Sequence, residues 1–337
     1  MEIFFPSIEA ISIYLPESIL TNEDLSSQFP EWSADKIASK LGISQRRISK
    51  KDEFVSDMAA KAANNLFDEY GIDRRNIDFI LLCTQSPDYF LPTTACLVQD
   101  KLNLNTNCGA LDMNLGCSGY VYGLSLAKGL LAMGDVNNVL LITADKYTKF
   151  INEKDKSNRS IFGDAATASL ITNQGFLGKL GKFVFGTDGS GAENLIVKNG
   201  GIKNFEKKGF DICNGDDFIS NDDNLFMNGE KIFEFTTQAV PNLVRDVLLK
   251  NNLAFSQIDL FIFHQANRFM LDYIRRKLKI PEDKFFVFMS ETGNTVSSTI
   301  PIALKEALVS KRIEKGMKIL IAGFGVGYSF SGSIIEY

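Results

Sequence analysis

Three residues of this chain form a set that could do covalent chemistry. Cys117 stands in Asn114-Leu115-Gly116-Cys117-Ser118-Gly119, where a short apolar strand pattern runs into a long helical one. A cysteine at a helix entry meets free backbone N–H groups and the positive end of the helix dipole, so an activated thiolate is expected. Small neighbours let a substrate approach closely. His264, the only histidine, ends the apolar run IDLFIF and opens HQANRFMLDYIRRKL. The carboxyl end of a buried strand is where α/β proteins place ligands. Asn294 lies in Glu291-Thr292-Gly293-Asn294-Thr295, ahead of VSSTIPIALKEALVS. Together the three suggest a thiolate nucleophile with two hydrogen-bond donors. Taken singly, each has a plainer reading: an inert buried thiol, a structural histidine, an ordinary turn. Cys83, Cys96, Cys108 and Cys213 keep that plain reading. A Cys-His-Asn peptidase would use the same types, but its signature around the cysteine is absent.

The elements that must position these residues follow an α/β pattern. Strands are expected at 77–83, 136–145, 258–264 and 318–325, and helices at 56–71 and 233–252. Strands alternating with long helices imply buried strands. The order of elements also occurs twice. Residues 62–85 read like 243–265, placing Ile77 against Ile258 and Cys83 against His264. Residues 124–145 resemble 301–323, and 162–171 echo 324–335. A repeat this long points to two α/β domains packed as a pseudo-dimer with a site between them. The segment 186–230, rich in Gly, Asn and Asp, reads as a loop-bearing insertion. Gly323, Gly325 and Gly327 alternate too near the end of the chain for a dinucleotide site, which needs a following helix and acidic residue. That turn is expected to bring backbone N–H groups to the site instead.

Composition narrows the classes. The 337 residues carry 36 Lys+Arg and 41 Asp+Glu, a net charge of −5 that disfavours a general nucleic-acid binder. One histidine and five scattered cysteines argue against a metal site or a disulfide scaffold. The opening MEIFFPSIEAISIYLPESIL lacks the basic and apolar blocks of a signal peptide, and no apolar run is long enough to span a bilayer. A cytoplasmic protein with reduced thiols and no membrane partner is expected.

The chain resembles the β-ketoacyl-acyl-carrier-protein synthase III branch of the thiolase-like condensing enzymes over nearly its whole length. The resemblance rests on Asn114–Gly119, His264-Gln265-Ala266-Asn267, Gly293-Asn294-Thr295 and Gly323-Phe324-Gly325, supported by Leu41-Gly42-Ile43 and Arg159–Asp164. His264 and Asn294 stand 30 residues apart, as in that family. The resemblance implies duplicated α/β domains in a five-layer α-β-α-β-α architecture, with halves at 1–176 and 177–337. It implies that Cys117 is acylated by an acyl-CoA and that a malonyl-acyl-carrier protein is decarboxylated beside His264 and Asn294. The backbone N–H groups of Cys117 and Val326 would hold the oxyanion. Asn267, Gly229 and Phe233 would line the pantetheine tunnel, Arg159 would lie near the CoA nucleotide, and Phe324 beside the site. Leu91 would close the acyl pocket of a partner in a homodimer. Coenzyme A enters as substrate, with no metal or other cofactor.

Several positions depart from the family pattern. Trp32 is spaced differently from Leu41-Gly42 and is given no role in stacking on adenine. Glu234 replaces a basic residue, Arg268-Phe269 invert an apolar-then-arginine order, Val326 stands inside the glycine turn, Phe330 replaces a tryptophan, and Leu91 is less bulky than phenylalanine. These departures leave room for a specialised condensing or acyl-transferring paralogue. The basic run Arg275–Lys279 is a candidate docking face for an acidic carrier. An inactive carrier-binding homologue is the non-enzymatic alternative. A nondecarboxylating thiolase is disfavoured because no cysteine follows Cys213.

Overall fold

The computed structural model describes residues 5–173, 178–207 and 209–337. Eleven strands among them form one hydrogen-bonded sheet. The first set is β1 (Ser7–Tyr14), β2 (Phe79–Cys83), β3 (Gly109–Met113), β4 (Asn138–Asp145) and β5 (Ala165–Thr172). A short β6 (Lys179–Leu180) follows. The second set is β7 (Val184–Thr187), β8 (Leu260–Phe263), β9 (Phe285–Phe286), β10 (Lys318–Gly325) and β11 (Ser329–Glu336).

The two sets share one topology. Their orders are β3-β2-β4-β5-β1 and β9-β8-β10-β11-β7. In each, the first three strands run parallel and the last two join antiparallel. β6 bridges β1 and β11 and so links the sets. The helices repeat in step. α1 (Val55–Tyr70), α2 (Thr94–Lys101) and α3 (Gly119–Ala132) have counterparts in α4 (Gly229–Asn251), α5 (Arg268–Lys277) and α6 (Thr299–Val309).

Strand alternation builds the layers. Leu81, Val139 and Leu141 of the first set and Leu260, Ile262, Ile319 and Ile321 of the second pack on α3 and α6. Their neighbours Ile80, Leu82, Leu140 and Ile142 face α1 and α2. Phe261, Phe263, Leu320 and Ala322 face α4 and α5. Strands buried on both faces explain why the apolar runs are continuous rather than alternating. The result is the five-layer, duplicated arrangement of the thiolase-like fold.

Element boundaries differ in modest ways. β10 spans 318–325 as expected, whereas β2 and β4 start two residues late, at Phe79 and Asn138. α4 starts four residues early, at Gly229, because the Asn228 side chain accepts from Lys231 N–H and caps it. The 186–230 segment is mostly loop, with two short antiparallel pairs, Leu195–Ile196 with Phe226–Met227 and Ile212–Asn214 with Asp217–Ser220. The boundary placed between residues 176 and 177 lies outside the described residues.

Candidate active site

The carboxyl ends of both strand sets converge on one cavity of about 50 Å³. Cys117, His264, Asn294, Phe324 and Asn267 all line it. The first comes from one repeat and the rest from the other, so the site exists only where the repeats meet.

Cys117 sits two residues before the first residue of α3. The β10–β11 hairpin presses on it. The Val326 N–H hydrogen-bonds the Cys117 sulfur. A Cβ on Gly325 would lie 2.7 Å from that sulfur, and one on Gly323 would lie 2.7 Å from the Cys117 carbonyl oxygen. These contacts account for two of the three alternating glycines, while the left-handed turn falls on Gly327, φ 135°. Val326 keeps its N–H on the sulfur without itself needing positive φ.

The expected thiolate is corrected here. Burial pushes the Cys117 thiol up to about 12, outweighing the Val326 N–H that stabilises the anion. The resting nucleophile is therefore a thiol, and deprotonation must accompany attack. Burial likewise holds His264 down at about 3, a neutral imidazole. A neutral ring donates through one nitrogen only.

Both donors are fixed from behind. His264 Nδ1 lies 2.7 Å from Thr299 Oγ1, which leaves Nε2 for the cavity. Phe324 meets the imidazole edge-on at 5.7 Å between centroids. Asn294 Oδ1 accepts from Val296 N–H at 2.9 Å, which turns Nδ2 to the cavity. Val296 reaches back because it sits at φ 56°, a rare conformation for a β-branched residue. Asn294 N–H donates to Ile161 O at 2.8 Å, and its carbonyl accepts from Gly163 N–H at 3.0 Å. The Arg159–Asp164 motif thus anchors the asparagine loop of the other repeat. Asp164, buried, accepts from the Ser49 and Thr148 N–H groups at 2.9 and 3.0 Å.

Three comparisons with known proteins bear on this site. Residues 111–189 match the family model for 3-oxoacyl-[acyl-carrier-protein (ACP)] synthase III, and residues 248–337 match its C-terminal model. A Clostridium perfringens protein named beta-ketoacyl-[acyl-carrier-protein] synthase III is 34% identical over 324 residues, covering 96% of this chain and 97% of its own. The chain belongs to the 3-oxoacyl-ACP synthase III family. It is an acyltransferase of the condensing class. A crystal structure of a 3-oxoacyl-(acyl-carrier-protein) synthase III superposes with TM-score 0.95 at 45% identity, covering 99% of this chain and 100% of its own. The priming β-ketosynthase of the R1128 polyketide pathway superposes at 0.84 with 25% identity, covering 99% and 96%.

The remaining expected residues fall in several places. Asn267 both lines the cavity and caps α5, its side chain accepting from Met270 N–H at 2.9 Å. Phe233 is off the cavity wall and stacks on Phe269 at 5.5 Å, although its helix neighbours Ile232 and Thr236 line it. Gly229 is exposed at the start of α4 with nothing within 4 Å of a Cβ position. Arg159 is tied at the surface to Gln28 and to the Glu153 carbonyl. Leu91 is 82% exposed, beside exposed Tyr89 and Phe90, and does not line this chain's cavity. The ammonium groups of Lys36 and Lys40 lie over the Trp32 ring, 5.1 and 5.4 Å from its centroid. Glu234 pairs with Lys231 at 3.0 Å. Arg268 packs on Gly42, which caps its helix at φ 69° where any Cβ would strike the arginine. Thr299, Val296 and Tyr147 at the site were missed. Their types carry no chemical signal, and only the fold brings them to the cavity or behind its donors.

Proposed function

We propose that this enzyme condenses an acyl-CoA with a malonyl-acyl-carrier protein through an acyl-Cys117 intermediate, giving a β-ketoacyl-carrier thioester and CO2. The observation that carries the reading is the convergence of one thiol and two rear-braced neutral donors, Cys117, His264 and Asn294, on one cavity. Cys117 attacks the thioester, its proton leaves with the CoA thiolate, and the N–H groups of Cys117 and Val326 hold the oxyanion. The malonyl thioester carbonyl then receives hydrogen bonds from His264 and Asn294. Loss of CO2 puts enolate charge on that oxygen, and neutral donors stabilise it without protonating the carbanion first. The carbanion attacks the acyl carbonyl, and the Cys117 thiolate leaves. With a short donor such as an acetyl group, the reaction stands at the start of an acyl chain.

The same reading assigns residues 1–176 and 177–337 to two halves and pairs two copies as a homodimer, with Leu91 covering the partner's acyl pocket. It places the enzyme in the cytoplasm. Carrier docking falls to the basic face of α5. There Arg275, Arg276 and Lys277 donate to the carbonyls of Ile280, Asp272 and Thr237, and Lys279 stands exposed just past the helix end. The likeness to a polyketide-priming ketosynthase favours one second reading, a paralogue that primes a specialised acyl chain by the same steps.

The test is intact mass after incubation with a panel of acyl-CoAs, with Cys117→Ala as control, followed by CO2 release from malonyl-carrier protein. A single adduct lost in the variant, with carrier-dependent CO2, supports condensation. An adduct without CO2 release replaces condensation by acyl transfer to another acceptor.

A further inference from the structure

The tautomer of His264 is the unassigned element of the site. A neutral imidazole carries one N–H, and enolate stabilisation requires it on Nε2, the nitrogen facing the cavity. Nδ1 must then accept. Its partner is Thr299 Oγ1 at 2.7 Å, fully buried at the first residue of α6. That hydroxyl has one proton and two acceptors within reach, His264 Nδ1 at 2.7 Å and the Val296 carbonyl at 3.1 Å. If the proton went to Val296, the hydroxyl would accept from Nδ1–H. Nε2 would then present a lone pair to a developing oxyanion.

We infer that Thr299 is a positioning residue that donates its hydroxyl proton to His264 Nδ1 and so holds the ring as the Nε2–H tautomer. An imidazole nitrogen is a stronger acceptor than an amide carbonyl, so the hydroxyl proton goes to Nδ1 and the Val296 carbonyl is left as a close neighbour. No carboxylate performs this task here: burial alone sets the state of His264. A hydroxyl orients the ring without adding charge, so the imidazole stays neutral. A carboxylate behind it would require Nδ1–H and aim the wrong nitrogen inward. Thr299 begins the helix that follows the asparagine loop, so the residue behind His264 and the loop that carries Asn294 belong to one stretch of chain. The mechanistic use of this tautomer rests on the condensation reading; the tautomer itself does not.

The single histidine makes the test direct. In protein labelled with [15N]histidine, the spectrum holds one imidazole. Wild type is expected to show Nε2 protonated and Nδ1 as acceptor, Thr299→Ser to keep that pattern, and Thr299→Val to lose it. Wild type with Nδ1 protonated overturns the inference, whatever the variants do. An unchanged pattern in Thr299→Val overturns it as well. In turnover, Thr299→Val should lower malonyl-carrier decarboxylation about 10–100-fold. Acylation of Cys117 should fall less, and Thr299→Ser should recover the decarboxylation. Equal loss of both steps, unrescued by serine, marks a merely structural role and overturns it. A Thr299-dependent Nε2–H tautomer in an enzyme that releases no CO2 upholds the inference and sinks the condensation reading.

Discussion

Cys117 and His264 are both neutral at rest because both are buried, and this has measurable consequences. With its thiol pushed up to about 12, Cys117 should alkylate slowly at pH 7. The iodoacetamide rate at this position, followed by peptide mass mapping, should climb log-linearly to pH 10 without a plateau. A plateau near pH 7 would mean that the helix entry wins over burial. His264 gives a stability prediction. Its folded value of about 3 lies below the unfolded value near 6.5. The unfolded chain therefore binds the extra proton between those limits. The neutral ring's contribution is whole above pH 6.5 and is lost as pH falls toward 3. Denaturant unfolding should show wild type losing stability relative to His264→Gln over that window. Asp145, buried and raised to about 7, acts with the opposite sign. It favours the folded state below its unfolded value and weakens it as pH rises to 7. The variant comparison, rather than wild type alone, isolates the histidine.

At the scale of elements, close approach decides which glycines can change. α3 carries Gly119, where a Cβ would sit 2.2 Å from the Cys83 sulfur, and Gly129, where nothing lies within 4 Å. Gly119→Ala should cost about 1–3 kcal/mol through overpacking. Gly129→Ala, exposed in the same helix, should gain about 0.5–1 kcal/mol from helix propensity. Urea unfolding of the two variants checks both signs. Cys83 thus has a packing role: its sulfur fills the space beside Gly119 and lies 3.0 Å from the Leu115 carbonyl oxygen. The plain reading of that cysteine agrees with its place in the core.

At the scale of the whole molecule, β3 is an outer strand whose Leu111 is 47% exposed, and Tyr89, Phe90 and Leu91 are exposed as well. An unpaired apolar edge is a template for a second chain. Sedimentation should report a homodimer, and Leu111→Lys should shift it toward monomer. A wild-type monomer would remove the role proposed for Leu91. The sequence by itself determined the repeat, the strand and helix order, and the three residue types that meet in the cavity. Apolar period, glycine spacing and the types Cys117, His264 and Asn294 are local facts, and chemistry constrains them tightly. It also supported an expectation that tertiary packing reversed, the activated thiolate. The positive end of a helix is visible in the chain order, whereas desolvation depends on what the β10–β11 hairpin lays over the sulfur. Thr299 behind His264, Val296 behind Asn294, and the grip of Ile161 and Gly163 on the asparagine loop were decided by the fold alone. Each joins segments through backbone groups or through ordinary hydroxyl and aliphatic side chains, whose types announce nothing until the two repeats meet.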